Sequence, residues 1–231
     1  MVHFEQELAG LKNTLLTMAS HTESAVRRAV QALTNRDYEL ALRVAADDQV
    51  IDRYELEVDE LAIGLLAKAP LASDLRLIAV AMKISQNLER AGDEATKVAN
   101  RARDLSQEAP LKFSTPLPHL ADLALQMLKQ SLDAFVGEDA ATARQLIPQD
   151  KQVDALNKDI HRQLVQQMIA SPDTITRCLN LMVAAKSLER IADHAKNVAE
   201  EVVYLCEAED IRHGRGKTEL TPTGTGNQPP A

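Results

Sequence analysis

Leu88-Glu89-Arg90-Ala91-Gly92-Asp93-Glu94-Ala95 recurs further along the chain as Leu188-Glu189-Arg190-Ile191-Ala192-Asp193-His194-Ala195. The match continues without a gap to Val98-Ala99 against Val198-Ala199. Upstream, Asp37, Ala41, Asp48 and Asp52 align with Asp139, Ala143, Asp150 and Asp154 at a second constant offset. The two offsets differ by two residues, absorbed around Pro70 and Pro172. Self-similarity at this spacing marks a tandem duplication. Within the block, Leu88, Ala91, Ala95 and Ala99 recur at three- and four-residue steps, the period of one apolar helix face. Glu89 and Asp93 flank that face, and Arg90 and Lys97 point to the opposite side. The duplicated unit is helical.

Helix punctuation extends the reading outward. A first helix runs from about His3 to Thr34 on Leu8, Leu11, Leu15, Met18, Ala25 and Ala29. Asn35-Arg36-Asp37 stops it, and Asp37 is suited to cap the next helix, which runs to Lys68. Ala69-Pro70-Leu71-Ala72-Ser73 breaks that helix, and a third covers Ser73 to Gln107. The stretch from Pro110 to Pro118 is a proline-rich joint. The plan then repeats. One helix spans Leu117 to Val136 with Gly137 as its C-cap. Another spans Asp139 to Ile169, interrupted at Pro148. A last one opens at Ser171-Pro172-Asp173 and ends near Glu209. The expected organisation is a first three-helix repeat over 1–109, a second over 110–212, and a disordered tail over 213–231 rich in Gly, Thr and Pro.

Composition supports an all-α fold. Hydrophobic residues make up 45% of the chain but aromatics only 3%, with no tryptophan, so Leu, Ile, Val, Ala and Met must fill the core. A net charge of −8 argues against a protein that tracks nucleic acid and suits one that binds cations or a basic partner. Cys178 and Cys206 read as two free thiols in a reducing compartment. Met1-Val2-His3-Phe4-Glu5-Gln6-Glu7 has no signal-peptide pattern, and no stretch reaches the roughly 20 apolar residues of a membrane span. The expectation is a soluble, cytoplasmic protein.

Each repeat carries two acidic pairs four residues apart: Asp48/Asp52 with Glu89/Asp93, and Asp150/Asp154 with Glu189/Asp193. Residues at this spacing share a helix face, and like charges there repel. One such pair is unremarkable among 34 acidic residues, but four at equivalent places in a duplicated unit need a reason. On the second helix, Asp48, Asp52 and Asp59 share a stripe with Leu56, Ile63 and Leu66, which places them at the edge of a packing surface. Partly buried carboxylates facing one another are costly unless something cationic joins them. That cation is a metal, or an arginine or lysine such as Arg90 and Arg190, or the acids are simply solvated. Carboxylate oxygens suit magnesium, calcium or manganese, and iron or zinc where a nitrogen joins. His161 and His194 are candidate nitrogen donors or ordinary surface histidines.

The duplicated L-E-R-x-x-D block, with its D-x-x-x-D partners, resembles the PhoU family of bacterial phosphate-transport accessory and regulatory proteins. The resemblance covers about His3 to Glu209. It implies two antiparallel three-helix bundles side by side, each with a metal-cluster site. The ligands it implies are Asp48, Asp52, Glu89 and Asp93 in the first repeat and Asp150, Asp154, Glu189 and Asp193 in the second. The expected metal is a divalent or trivalent ion: iron, zinc, manganese or magnesium. It also implies a negative regulator of phosphate uptake and of the phosphate-starvation response. Such a regulator contacts the ATPase subunit of the phosphate ABC transporter and a sensor histidine kinase, commonly as a homodimer. Ala192 replaces Gly92, and Asn157 and His161 replace Glu55 and Asp59, so the second site is expected to be weaker or richer in nitrogen ligands.

Two rivals stand beside this reading. Di-iron carboxylate enzymes use Glu-x-x-His, which neither Glu89 nor Glu189 begins, and no phosphate-cradling glycine loop or nucleophile triad is present. The expectation is therefore not an enzyme. A metal-free helical docking scaffold, its acids in ion pairs, is the other.

Overall fold

The computed structural model describes residues 2–69 and 71–212. The expected tail over 213–231 and the break at Pro70 lie outside the described residues. Eight α-helices follow in order: α1 Val2–Asn35, α2 Tyr38–Ala46, α3 Asp48–Leu66, α4 Ala72–Ser106, α5 Leu117–Gly137, α6 Ala140–Leu146, α7 Asp150–Ala170 and α8 Ile175–Glu207. There is no strand among the described residues. Helices α1 to α4 form one bundle and α5 to α8 the other. The bundles meet along α4 and α8, and their buried side chains form a single continuous apolar core.

The helix ends follow from local chemistry. Asp37 caps α2 as its sequence predicts, its Oδ1 accepting from the Leu40 N–H at 2.9 Å. Arg36, in the left-handed region at φ 55°, turns its guanidinium onto the carbonyls of Leu105 and Glu108 at the end of α4. It supplies donors to a helix terminus that lacks them. The C-cap expected at Gly137 falls one residue later, because Gly137 is the last helical residue and Glu138 takes the left-handed turn at φ 48°. Cys178 is buried and Cys206 exposed, both as free thiols.

The second helix of the first repeat is not continuous. It breaks at Asp47, whose carboxylate is held by Arg28 of α1 at 2.6 Å. In the second repeat the equivalent break is the 3-10 turn Ile147–Gln149, with Pro148 at its start. Both breaks sit immediately before the first acid of a pair, so Asp48 and Asp150 open α3 and α7. Carboxylates are favoured at that end of a helix.

The stripe predicted to pack on α3 is also corrected. Leu56 and Ile63 are 70% and 64% exposed, and the buried face is Ile51, Val58, Ala62 and Leu65. Ile51 explains Gly92. A Cβ on Gly92 would stand 2.8 Å from Ile51 Cδ1, closer than packed atoms approach. The second repeat has Ala192 there and the shorter Val153 opposite, at the position of Ile51. Gly92→Ala is expected to cost about 1 kcal/mol, overpacking outweighing the better helix propensity of alanine. Adding Ile51→Val should recover most of it, as read by urea unfolding of the single and double variants.

Candidate functional site

Each acidic cluster lies where the broken helix of a repeat packs against its long last helix. In the first, α3 presents Asp48, Asp52, Glu55 and Asp59, and α4 presents Glu89 and Asp93. Asp48, Glu55, Asp59 and Glu89 are half-buried; Asp52 and Asp93 are exposed. The charges act on one another. Burial pushes the Asp48 carboxyl above its usual range, with the Thr96 hydroxyl offsetting in part and Asp52 and Asp93 adding to the rise. Glu89 is raised by burial and then by Asp93, Glu55 and Asp52. Glu55 is raised by burial and then by Asp59 and Asp52. Six carboxylates from two helices therefore share one field, Glu55 and Asp59 being a further pair at the same four-residue spacing.

In the second cluster, α7 presents Asp150 and Asp154 and α8 presents Glu189 and Asp193. Glu189 is buried and the other three are half-buried. Lys196 Nζ sits 2.7 Å from Asp150 Oδ2 and 3.7 Å from Asp193 Oδ1, and Lys186 lies against Glu189. The first repeat has Thr96 and Gln86 at these two positions. Despite Lys196, burial and the neighbouring Asp150 charge push the Asp193 carboxyl up to about 6.

Whether these residues fit a cation can be judged from their unsatisfied atoms. Asp59 Oδ1 in the first cluster is buried with no hydrogen-bond partner among the described residues. So are Asp150 Oδ1, Asn157 Oδ1 and His161 Nε2 in the second. Leaving such atoms unpaired costs about 1–3 kcal/mol each. An all-carboxylate set with an orphaned oxygen fits a hard or borderline metal. The second set is mixed oxygen and nitrogen, and two lysine ammoniums already neutralise part of it. Among the described residues, no three His, Cys, Asp or Glu side chains converge closely enough to hold an ion as they lie. Mutual repulsion opposes that convergence. His194, a candidate nitrogen donor by sequence, belongs to neither cluster: it faces α4, with Nδ1 3.1 Å from Asn87 Oδ1.

The raised carboxyls set a pH dependence. A carboxyl whose folded pKa exceeds its unfolded value binds its proton more readily when folded. Its contribution is complete at low pH and is lost as pH rises through the folded pKa. For Asp193 that window runs from its ordinary value of 3.8 to about 6. His194, held low by burial, works in the opposite sense over a neighbouring range. Comparing chelator-treated wild type with Asp193→Asn cancels the histidine. The wild type is expected to lose roughly 1 kcal/mol relative to the variant between about pH 4 and pH 7, after discounting for the partial solvent exposure of Asp193. Urea unfolding across that range checks it.

Fold and clusters together define a class: a duplicated helical-bundle protein with one acidic cluster per repeat, each between a broken helix and a long one. Comparison with known sequences and structures places it within that class. The PhoU domain profile matches residues 15–102 and again 117–202. The phosphate-specific transport system accessory protein PhoU homolog of Rhizobium meliloti is 36% identical over 225 residues, spanning 96% of this chain and 95% of that one. The Pseudomonas aeruginosa homolog is 41% identical over 213 residues, spanning 91% and 88%. The crystal structure of PhoU from Pseudomonas aeruginosa superposes with a TM-score of 0.87 at 40% identity, covering 89% of this chain and all of that one. The phosphate transport system regulatory protein PhoU from Streptococcus pneumoniae gives 0.83 at 26% identity, covering 90% and 99%. The chain belongs to the PhoU family.

Proposed function

We propose that this protein is a cytoplasmic, non-catalytic regulator that lowers phosphate uptake and keeps phosphate-starvation genes silent when phosphate is plentiful. It acts as a metal-binding helical adaptor, commonly a homodimer, that docks on the ATPase subunit of the phosphate transporter and on a sensor histidine kinase. The observation that carries this reading is the family match over both repeats with all four acidic pairs in register. The names of the relatives, accessory proteins of phosphate-specific transport, support the transport assignment. No helix among the described residues is long and apolar enough to cross a membrane, which suits a partner of membrane proteins that is not one itself.

Docking has physical support in both repeats. Ile63, Leu66, Leu71 and Leu75 are exposed where α3 turns into α4, and Val165, Ile169, Ile175 and Leu179 where α7 turns into α8. Apolar surface concentrated in this way suits protein contact. Asp48, Asp52, Glu89 and Asp93 would hold the tighter metal and Asp150, Asp154, Glu189 and Asp193 the weaker, since Lys186 and Lys196 compete at the second. A cation held by these carboxylates would offset their mutual repulsion and tie the broken helix to the long one. A metal-free docking scaffold is the second reading. The Lys196–Asp150 ion pair favours it for the second repeat.

The test is genetic, using a phosphate-starvation reporter in phosphate-rich medium. Deleting the gene should switch the reporter on, and so should replacing it with the Asp52/Asp93/Asp154/Asp193 quadruple alanine variant. A silent reporter after deletion refutes the regulatory reading. A reporter switched on by deletion but silent with the folded variant leaves the metal-free scaffold.

A further inference from the structure

The seam between α4 and α8 is approximately two-fold, so a side chain on one helix has a counterpart 100 positions away on the other. On one half of the seam, Arg190 Nη1 reaches the buried Glu94 at 3.1 Å, and Lys97 Nζ holds the same oxygen at 2.9 Å. Ser187 hydrogen-bonds the same carboxylate. This half is a closed ion-pair network.

The counterparts of Arg190, Glu94, Lys97 and Ser187 are Arg90, His194, Asn197 and Asn87. They meet in the same way: Asn87 Oδ1 lies 3.1 Å from His194 Nδ1 and accepts from Asn197 Nδ2 at 3.2 Å. But an imidazole stands where the other half has a carboxylate. Arg90, exposed, makes no hydrogen bond or close ion pair among the described residues, its charge acting on Glu55 and Glu89 only from a distance, whereas Arg190 pairs with Glu94. Arg90 lines a groove of about 540 Å³ that Lys83, Lys196 and Arg212 also line. This is within the size range of small-molecule sites, roughly 300–1,000 Å³. Of the two acids in that groove, Glu201 is engaged by both Lys83 at 3.1 Å and Arg212 at 3.0 Å, and Glu200 is the other. Asp93 and Asp193 line an adjoining hollow of about 410 Å³ that shares Arg90 and Asn197.

We propose that this half of the seam binds a phosphoryl anion in the groove beside His194, with the Arg90 guanidinium as anchor and Asn197 and Lys196 beside it. A guanidinium fork matches two oxygens of such a group. The site adjoins the acidic clusters, sharing Lys196 with the second, and goes beyond the regulatory reading.

The decisive variant is His194→Glu, which restores the missing carboxylate and should satisfy Arg90 from within. Arg90→Gln removes the anchor and settles the matter if the first variant does not fold. The full-length protein is titrated calorimetrically with inorganic phosphate and, separately, with a nucleoside diphosphate, against potassium chloride at matched ionic strength. Metal content is measured on every sample, so loss of metal and loss of anion are read apart. Saturable binding that weakens about tenfold or more in Arg90→Gln and vanishes in His194→Glu supports the site. Binding of inorganic phosphate identifies the free anion as ligand. Binding of the diphosphate alone identifies a phosphoryl group on a larger molecule. No saturable binding of either probe, a response that chloride reproduces, or binding unchanged in both variants overturns it.

Discussion

Replacing Asp52 and Asp93 together with asparagine is expected to move stability in opposite directions with and without metal. In chelator the double variant should be the more stable protein, by roughly 0.5 kcal/mol, because it relieves repulsion between carboxylates that share a face and a field. Both acids contribute to the raised Asp48 and Glu89 carboxyls, so removing them relaxes the whole cluster. With metal at about a hundred times its dissociation constant, the wild type should gain about 2.7 kcal/mol, and the variant should forfeit most of that gain. For a chain of this size the forfeited stability corresponds to a fall in Tm of about 5–11 °C. The same pair of changes at Asp154 and Asp193 should forfeit less, because Lys196 already supplies a positive charge to Asp150. Thermal unfolding with chelator and with added metal reads both effects. A variant that responds to metal as the wild type does would place the metal elsewhere.

The second large effect lies in the repeated block itself. Leu88 and Leu188 open the two copies and are both fully buried. Substitution of either by alanine leaves a cavity in a close-packed core and is expected to cost about 3 kcal/mol, within the range of about 2–5 for such changes. The two leucines belong to a single continuous core that crosses the α4/α8 seam. Each variant should therefore shift one cooperative urea transition with its slope preserved. A second transition appearing in Leu188→Ala, with the first unmoved, would mean that the repeats unfold separately despite their shared core.

Much of this architecture is legible in the letters because it depends on short-range rules. The face through Leu88, Ala91, Ala95 and Ala99 is fully buried, as its period predicts. The Asp37 cap and the Pro148 interruption are local, and both appear. What escaped depends on neighbours distant in sequence. The break at Asp47 carries no proline or glycine and is held by Arg28 from another helix. Only the repeat points to it, since Pro148 marks the equivalent place. On α3, apolar letters occupy two faces, and hydropathy does not separate a core stripe from an exposed docking stripe. The buried one is Ile51, Val58, Ala62 and Leu65, and it leaves Leu56 and Ile63 outside.

The acids divide in the same way. Pairing within a helix is visible from spacing, Glu55 and Asp59 included, but that α3 meets Glu89 and Asp93 of α4 comes from packing. Arg90 and Lys97 read as the outer side of a helix, yet that side faces α8. Glu94 is buried there, a position its charge gives no reason to expect. The exchanges Glu94 to His194 and Thr96 to Lys196 are visible once the repeats are aligned, and they are among the places where the two halves differ in charge.

Elemental analysis of protein purified without chelator or affinity metal, beside the Asp52/Asp93 double asparagine variant, tests the central claim most directly. Stoichiometric metal in the wild type, with the first-cluster share missing from the variant, is the predicted result and identifies the ion. An absence of metal in both, persisting after reconstitution with iron, manganese, zinc and magnesium, contradicts it and leaves a helical scaffold whose acids serve other ends.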